Sequence, residues 1–539
     1  VARAARQDIR RLDRGLITVC FALLGFSVLY PTVRLLLAAA SQWDASRITS
    51  GVGYAAIWNT TLLCFATVGT CGFFGTGLAL FFSRYAFPGR RVAAALAYLP
   101  FTLPPLVGVI AFYFLVGEDG FIPRLGQYGL GWKVAALPGF PAVLLMHTYA
   151  FFVFFYAMAG AALESLDTAQ IEAARTLGAG RVRTFFKVTL PLLRPSLLGA
   201  ALLTFMSSAA SFSAPYFLGR DLPILSVEVY HARAAANDDA ALTLTVCLAA
   251  VSLVGLALFR GRKQAYVGGV KGAPRPIRSA GGRVFATAGA WTIVALLLVP
   301  HLVIVWLSFI DYRQWDTEIV PLYFTLDNYT AMFRRAGALQ PIVNSLWTSA
   351  LGAAGALAVG LPAAYLVARR RPWGGILNVL VMVPWALPGT VIAMNLITAF
   401  DGPWLPLTGT VWLLPFAYYV RSVPLLTRMA GAAIEPFDGA LLEAAQTLGA
   451  SRAYCFRRIA FPLLAPAVVA GCALVFATNL GEFAASILVA TTRNKPISLR
   501  IQEILHDGVI VEAAAYSVVL TVMVALVFIL ARRFTARLV

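Results

Sequence analysis

Charge is what this sequence has least of. Only 12% of its 539 residues are Asp, Glu, Lys or Arg, while 60% are hydrophobic and mean hydropathy is +0.79. Soluble globular domains carry about 25% charged residues, so a water-soluble domain is excluded. Acidic residues are the scarcer sign, 24 against 43 Lys and Arg. The net charge of +19 would suit nucleic acid, yet the cations collect in short loops between apolar runs. That is the positive-inside pattern of a membrane protein and not a binding face. The six cysteines include no Cys-x-x-Cys pair, and most lie inside apolar runs, so they read as free packing thiols. His147 and His301 have no second His or Cys at metal-ligand spacing and read as structural. No G-x-x-x-x-G-K-[ST] loop occurs, so the chain has no such cradle for nucleotide phosphates. No Ser/His or His/Asp/Glu cluster gathers at one membrane face, which argues against a membrane enzyme.

What the sequence has is long apolar runs. Stretches of 18 or more uncharged residues recur, each long enough to cross a hydrocarbon core of about 30 Å. They are continuous instead of alternating, which excludes a β-barrel. The expected fold is an all-α polytopic membrane protein with twelve spans. These fall near 15–40, 55–83, 92–117, 139–161, 192–219 and 240–259, then 284–310, 341–368, 375–400, 409–430, 464–491 and 512–532. Arg3, Arg6, Arg10, Arg11 and Arg14 precede the first span, and Arg84, Arg90, Arg91, Arg369, Arg370, Arg371, Arg532, Arg533 and Arg537 lie on the same side. Opposite loops are mixed or acidic, as in "VGEDG" and "ANDDA". Both termini are therefore expected in the cytoplasm. The basic start feeds straight into a full-length apolar span, which is expected to stay as an anchor.

The chain also repeats itself. "EAARTLGAGRVRTFFKVTLPLL" at 172–193 returns as "EAAQTLGASRAYCFRRIAFPLL" at 443–464, an offset of 271 that holds without a gap from Glu164/Glu435 to Phe212/Phe483. "LPFTLPP" at 99–105 pairs with "VPWALPG" at 383–389, and "WNTTL" at 58–62 with "VNSLW" at 343–347. Two six-span repeats in the same orientation follow, at 1–259 and 284–539. The segment 260–283 holds seven basic residues, no acidic ones and several Gly and Pro, and reads as a cytoplasmic linker. Pro104, Pro105, Pro384 and Pro388 are expected to kink the third span of each repeat.

Within each loop, at about 164–191 and 435–462, a short helix should end at Gly178 or Gly449, and a second amphipathic segment should stop at Pro191 or Pro462. Glycine supplies the corner with positive φ that a helix–turn–helix needs. Arg175, Arg181, Arg183, Arg452, Arg457 and Arg458 keep the loops in water. An interfacial helix alone does not demand a fixed turn; a fixed turn kept twice suits insertion into a partner's groove.

Glu-Ala-Ala, three residues, Gly, nine residues, then an apolar-x-apolar-Pro run resembles the signature loop of binding-protein-dependent ABC importer permeases. Here it reads Glu172-Ala173-Ala174, Gly178 and Val188-Thr189-Leu190-Pro191, then Glu443-Ala444-Ala445, Gly449 and Ile459-Ala460-Phe461-Pro462. Val188 and Phe461 depart from the usual Ile and Leu but keep an apolar face. The resemblance covers both repeats and implies the type I permease fold in a bacterial inner membrane. It implies a non-enzymatic transport subunit, with ATP and Mg bound on a separate homodimeric ATPase gripping Glu172, Ala173, Ala174, Gly178, Glu443, Ala444, Ala445 and Gly449. An extracytoplasmic solute-binding protein is the other implied partner.

Ionisable groups inside spans are costly and point to function. Glu482 in "FATNLGEFAAS" is the clear case, and Asn479 three residues earlier is expected on the same helix face. The 271 offset gives Ser208 and Ser211 in the first repeat. These four are expected to line the translocation pathway; the bland alternative makes Glu482 a packing carboxylate. A twelve-span secondary transporter also has six-plus-six repeats, but would want a D-R-x-G-R-like loop where this chain has "SRYAFPGRRVA". Fusion of both halves resembles the iron(III), thiamine and aminoethylphosphonate branches, with "TLPPLVGVIAFYFLVGEDG" and "LPILSVEVY" most like iron(III) permeases. "LGEFAAS" resembles the oxyanion branch. A pathway carboxylate suits a cation, so ferric iron is the expected substrate.

Overall fold

The computed structural model describes residues 2–117, 120–132, 136–166, 168–259, 275–437 and 440–536. The acidic pair of "VGEDG", most of the linker, Arg537 and the side chains of the first twelve residues and of Arg452 lie outside the described residues. The apolar runs become helices because hydrocarbon offers a backbone no water, and a helix satisfies its own N–H and C=O groups. In chain order they are α1 (Asp13–Ser41), α2 (Gly51–Arg84), α3 (Pro105–Val116), α4 (Phe140–Ser165), α5 (Thr168–Thr176), α6 (Arg181–Ala209), α7 (Leu225–Ala234) and α8 (Asp238–Leu258). The second repeat gives α9 (Ala280–Ser308), α10 (Gln340–Ala368), α11 (Gly374–Met382), α12 (Gly389–Phe400), α13 (Leu413–Ile434), α14 (Ala440–Thr447), α15 (Arg457–Leu480), α16 (Ile497–His506) and α17 (Ile510–Ala536). Among the described residues, the extended pairings are a two-residue parallel ladder of β1 (Tyr85–Ala86) on β2 (Arg275–Pro276) and one bridge between Ile310 and Phe324.

Among the described residues, ten helical stretches are long and apolar enough to cross a membrane, with Pro105–Gly129 counted as one, or eleven if the bent pair Gly374–Ala386 and Gly389–Phe400 is one span. The expected count of twelve differs at α13, a helix of 22 residues that carries Arg421 and Arg428 and is less apolar than the ten. The third span of each repeat is broken, not merely kinked. In the second repeat its two parts meet at 108°. Leu103 and Leu387 are extended, with ψ of 127° and 134°, because a following proline disfavours the helical conformation. The runs at 192–219 and 464–491 also stop early, at Ala209 and Leu480.

The chain forms two compact units, one of residues 1–44, 232–246 and 325–539, the other of 45–231 and 247–324. They do not coincide with the sequence repeats. The first helix of each repeat, α1 or α9, belongs to the unit that holds the body of the other repeat. Inside each unit the second and fourth spans of a repeat pack closely over glycines. A Cβ on Gly75 would sit 2.4 Å from the Phe152 carbonyl oxygen, and one on Gly352 would sit 2.6 Å from the Tyr418 Cβ. Small residues let membrane helices approach where no hydrophobic force drives them together.

Candidate functional site: paired turns and paired helix breaks

The two repeated turns have the same geometry. α5 ends when Gly178 adopts φ 82°, and α14 ends when Gly449 adopts φ 87°. The Gly178 N–H donates to the Arg175 carbonyl at 2.9 Å and the Ala179 N–H to the Ala174 carbonyl at 3.0 Å. The second turn repeats this with Gly449 to Gln446 at 3.0 Å and Ala450 to Ala445 at 3.0 Å. This crossed pair is a Schellman cap, which satisfies the last carbonyls and requires a left-handed residue. Glu172, Ala173, Glu443 and Ala444 are exposed, and Ala174 and Ala445 half-buried. Leu177 and Leu448, beside the glycines, are each 88% exposed. Five residues in π geometry follow in each copy, Phe185–Thr189 and Phe456–Ala460, just before Pro191 and Pro462. The wider turn spares each proline ring its clash with the carbonyl four residues back.

The four candidate pathway residues lie where α6 and α15 stop. Ser208 and Asn479 are in the last turns, while Ser211 and Glu482 lie beyond the helix ends, in breaks after Ala210 and Gly481. The shared helix face expected for Asn479 and Glu482 is thus not formed. Gly481 caps the helix, and Glu482 is reached by a tight turn in which its N–H donates to the Asn479 carbonyl at 3.1 Å. Ser211 does the same to Ser208 at 3.1 Å.

A matched set of hydrogen bonds holds both breaks. The Ser226 hydroxyl donates to the Ser211 carbonyl at 2.7 Å, and Ser498 to the Glu482 carbonyl at 2.9 Å. The Leu225 N–H donates to Thr60 Oγ1 at 3.0 Å, and the Ile497 N–H to Ser345 Oγ at 2.8 Å. Asn59 donates its amide to the Pro223 carbonyl at 3.2 Å, and Asn344 to the Lys495 carbonyl at 3.0 Å. Asn59/Thr60 and Asn344/Ser345 are the Asn-hydroxyl pairs of "WNTTL" and "VNSLW". Their role was hidden in sequence because their targets lie some 150 residues away.

Side-chain chemistry in the two breaks differs. In the first, the neutral hydroxyl of Ser208 is 3.1 Å from His147 Nδ1 and donates to Thr67 Oγ1 at 3.4 Å. All three are buried. In the second, the matching positions to Ser208 and His147 are Asn479 and Tyr418. Asn479 Oδ1 accepts from Ser422 at 3.0 Å, and the Tyr418 hydroxyl meets Ser486 at 2.8 Å. Glu482, its side chain 8% exposed, accepts from the Ala485 N–H at 2.9 Å and pairs with Arg421 Nη1 at 2.6 Å. Arg421 was missed in sequence although a cation in the run "YYVRSVPLLT" is itself a signal. Gly389 completes the site, since a Cβ there would lie 2.4 Å from Arg421 Nη1. The first repeat has Ala150, Ser211 and Pro105 at these three places. No group of three or more His, Cys, Asp or Glu able to hold a metal ion occurs among the described residues, and all six thiols are free.

This doubled arrangement has known relatives. The family described as "Binding-protein-dependent transport system inner membrane component" matches residues 73–262 and again 356–539. A "Probable ABC transporter permease protein y4fN" of Sinorhizobium fredii is 32% identical over 523 residues, 91% of each chain. The "Ferric transport system permease protein FbpB" of Actinobacillus pleuropneumoniae is 26% identical, covering 95% of this chain and 77% of that one. The "Fe(3+)-transport system permease protein FbpB 2" of Haemophilus influenzae is 25% identical over 86% of both. With two family matches in one polypeptide, each bearing its own capped turn and helix break, the chain belongs to the inner-membrane permease family of binding-protein-dependent ABC importers, as a fused double permease.

Proposed function

We propose that this permease passes ferric iron from an extracytoplasmic binding protein to the cytoplasm, and that two copies of one ATPase, carrying ATP and Mg, dock at its two turns. The observation that carries the docking is the identity of the turns: two Schellman caps, two left-handed glycines and two leucines 88% exposed. A rigid helix with an apolar tip moves as a body when gripped, and so transmits closure of the ATPase pair to α6 or α15. The same reading puts both turns and both termini in the cytoplasm. Iron is supported by relatives named for ferric transport that match nearly the full length of the chain. Ser208, Ser211, Asn479 and Glu482 border the pathway, and the buried three reach it as the breaks move.

A second substrate reading, an oxyanion, is favoured by one observation: Arg421 neutralises Glu482 and is itself 37% exposed, so the break is not a bare anionic site. Uptake of radioactive iron(III) and of molybdate by cells holding the permease, its binding protein and its ATPase separates these. Gly178→Val or Gly449→Val is expected to lower uptake at least tenfold with membrane insertion unchanged. Wild-type uptake in both variants overturns the docking. Molybdate uptake without iron uptake in the parent overturns the iron reading and leaves the docking intact.

A further inference from the structure

A large crevice lies inside the unit that holds α2, α4 and α9, apart from the turns and breaks. Its volume is about 1020 Å³, and its walls run from Phe73 to Tyr85 on α2, from Leu145 to Phe152 on α4, and from Gly282 to Leu297 on α9. The lining is almost wholly apolar, and the polar groups of Thr148 and Tyr149 are already engaged. Thr148 Oγ1 bonds Thr70 and the Leu144 carbonyl, each at 2.7 Å, and the Tyr149 hydroxyl donates to the Leu297 carbonyl at 2.9 Å. Apart from the Tyr85 hydroxyl at the β1 end, the walls offer a hydrated solute little to bind, which does not suit a transport route.

The dimensions fit one leaflet. Phe73 to Tyr85 covers about 18 Å of helix at 1.5 Å per residue, against about 15 Å for half of a bilayer's hydrocarbon. One end lies in the apolar middle of α2 and α9, and the other lies where β1 pairs with β2. Cations lie near the second end. Arg84, Arg278 and Arg283 each adjoin a lining residue in sequence, namely Tyr85, Ile277 and Gly282. All three are exposed, and none forms an ion pair among the described residues.

In the other unit the matching helices meet. There α1 packs directly on α10, and Asp13, buried, pairs with Arg371 at 3.1 Å. With Pro31 set on Pro300 and Pro372 on Pro88, Gly282 stands in the place of Asp13 and Phe87 in the place of Arg371. The ion pair that ties α1 to the loop beyond α10 has no counterpart, and α9 is left apart from α2 across the crevice.

We propose that this crevice binds one anionic phospholipid from the leaflet facing the basic loops, with its acyl chains between α2, α4 and α9 and its phosphate among Arg84, Arg278 and Arg283. The apolar walls gain little over bulk lipid, so headgroup charge sets the preference. The test uses the full-length permease, stripped of lipid in mild detergent, titrated with phosphatidylglycerol or phosphatidylcholine and weighed by native mass spectrometry. One phosphatidylglycerol is expected to stay bound about tenfold more tightly than phosphatidylcholine. Gly289→Trp, at a crevice-lining glycine with open space around it, should abolish retention of both. Arg84→Gln with Arg283→Gln should erase the preference and keep the weak phosphatidylcholine binding, which also guards against a misfolded variant. Equal retention of the two lipids by the parent, or unchanged retention in Gly289→Trp, overturns the proposal, as does a copurifying protein helix crosslinked to Phe285.

Discussion

At Ala210–Ser211 and at Gly481–Glu482 the chain leaves a membrane helix in the same way, yet the groups that fill the two breaks differ in charge. Backbone atoms are held alike: a hydroxyl from α7 or α16 meets the carbonyl of residue 211 or 482, and an Asn-hydroxyl pair on α2 or α10 holds the approach. Side chains are free to diverge because the framework rests on backbone donors and acceptors. The first repeat fills its break with the Ser208 hydroxyl and the His147 imidazole, the second with the Arg421–Glu482 ion pair and a glycine that admits it. A broken helix inside a membrane has exposed N–H and C=O groups and little water to satisfy them. The constraint therefore falls on the supports, while the filling is free to differ.

Breaking the ion pair sharpens this contrast most. Glu482→Ala is expected to destabilise its unit by about 3 kcal/mol, the lower end for a broken buried pair because Arg421 is partly exposed. Glu482→Ser with Arg421→Ala, the residues of the first repeat, should recover most of that loss. Thermal unfolding in detergent measures both, and a double variant as unstable as the single one breaks the comparison. Gly389→Ala should cost about 1–2 kcal/mol, since its methyl displaces the end of a flexible guanidinium, not backbone. Its effect should vanish in the Arg421→Ala background, read by the same melting experiment. Effects of similar size test the shared supports. Thr60→Val and Ser345→Ala each leave a backbone N–H unpaired and should each cost about 1–2 kcal/mol. Hydrogen exchange at Leu225 and Ile497 should quicken to a similar degree; a large inequality means the two frameworks are not equivalent.

Much of this was readable from residues alone. Gly178 and Gly449 announced turns because a left-handed corner at a helix end has few other solutions, and both have that conformation. Pro104 and Pro388 marked the third spans, although the extent of the break depends on how each second half packs. Ser211 and Glu482 were placed on helices because apolar runs continue past Ala209 and Leu480 with no proline at either break; hydroxyl contacts from distant helices stabilise the breaks instead. Arg421 went unnoticed beside Glu482 because 61 positions separate them, and no local periodicity joins residues that far apart.

Sequence alone settled the membrane class, the duplication and the two capped turns, since hydropathy, repeat spacing and glycine chemistry are properties of short stretches of chain. Tertiary structure decided that the first helices exchange units, that Arg421 sits on Glu482, and that a crevice opens beside α9 while α1 packs on α10 and pairs Asp13 with Arg371. Each of these depends on which helix packs against which, and in a lipid environment that choice is made by small residues and polar pairs scattered far apart in sequence.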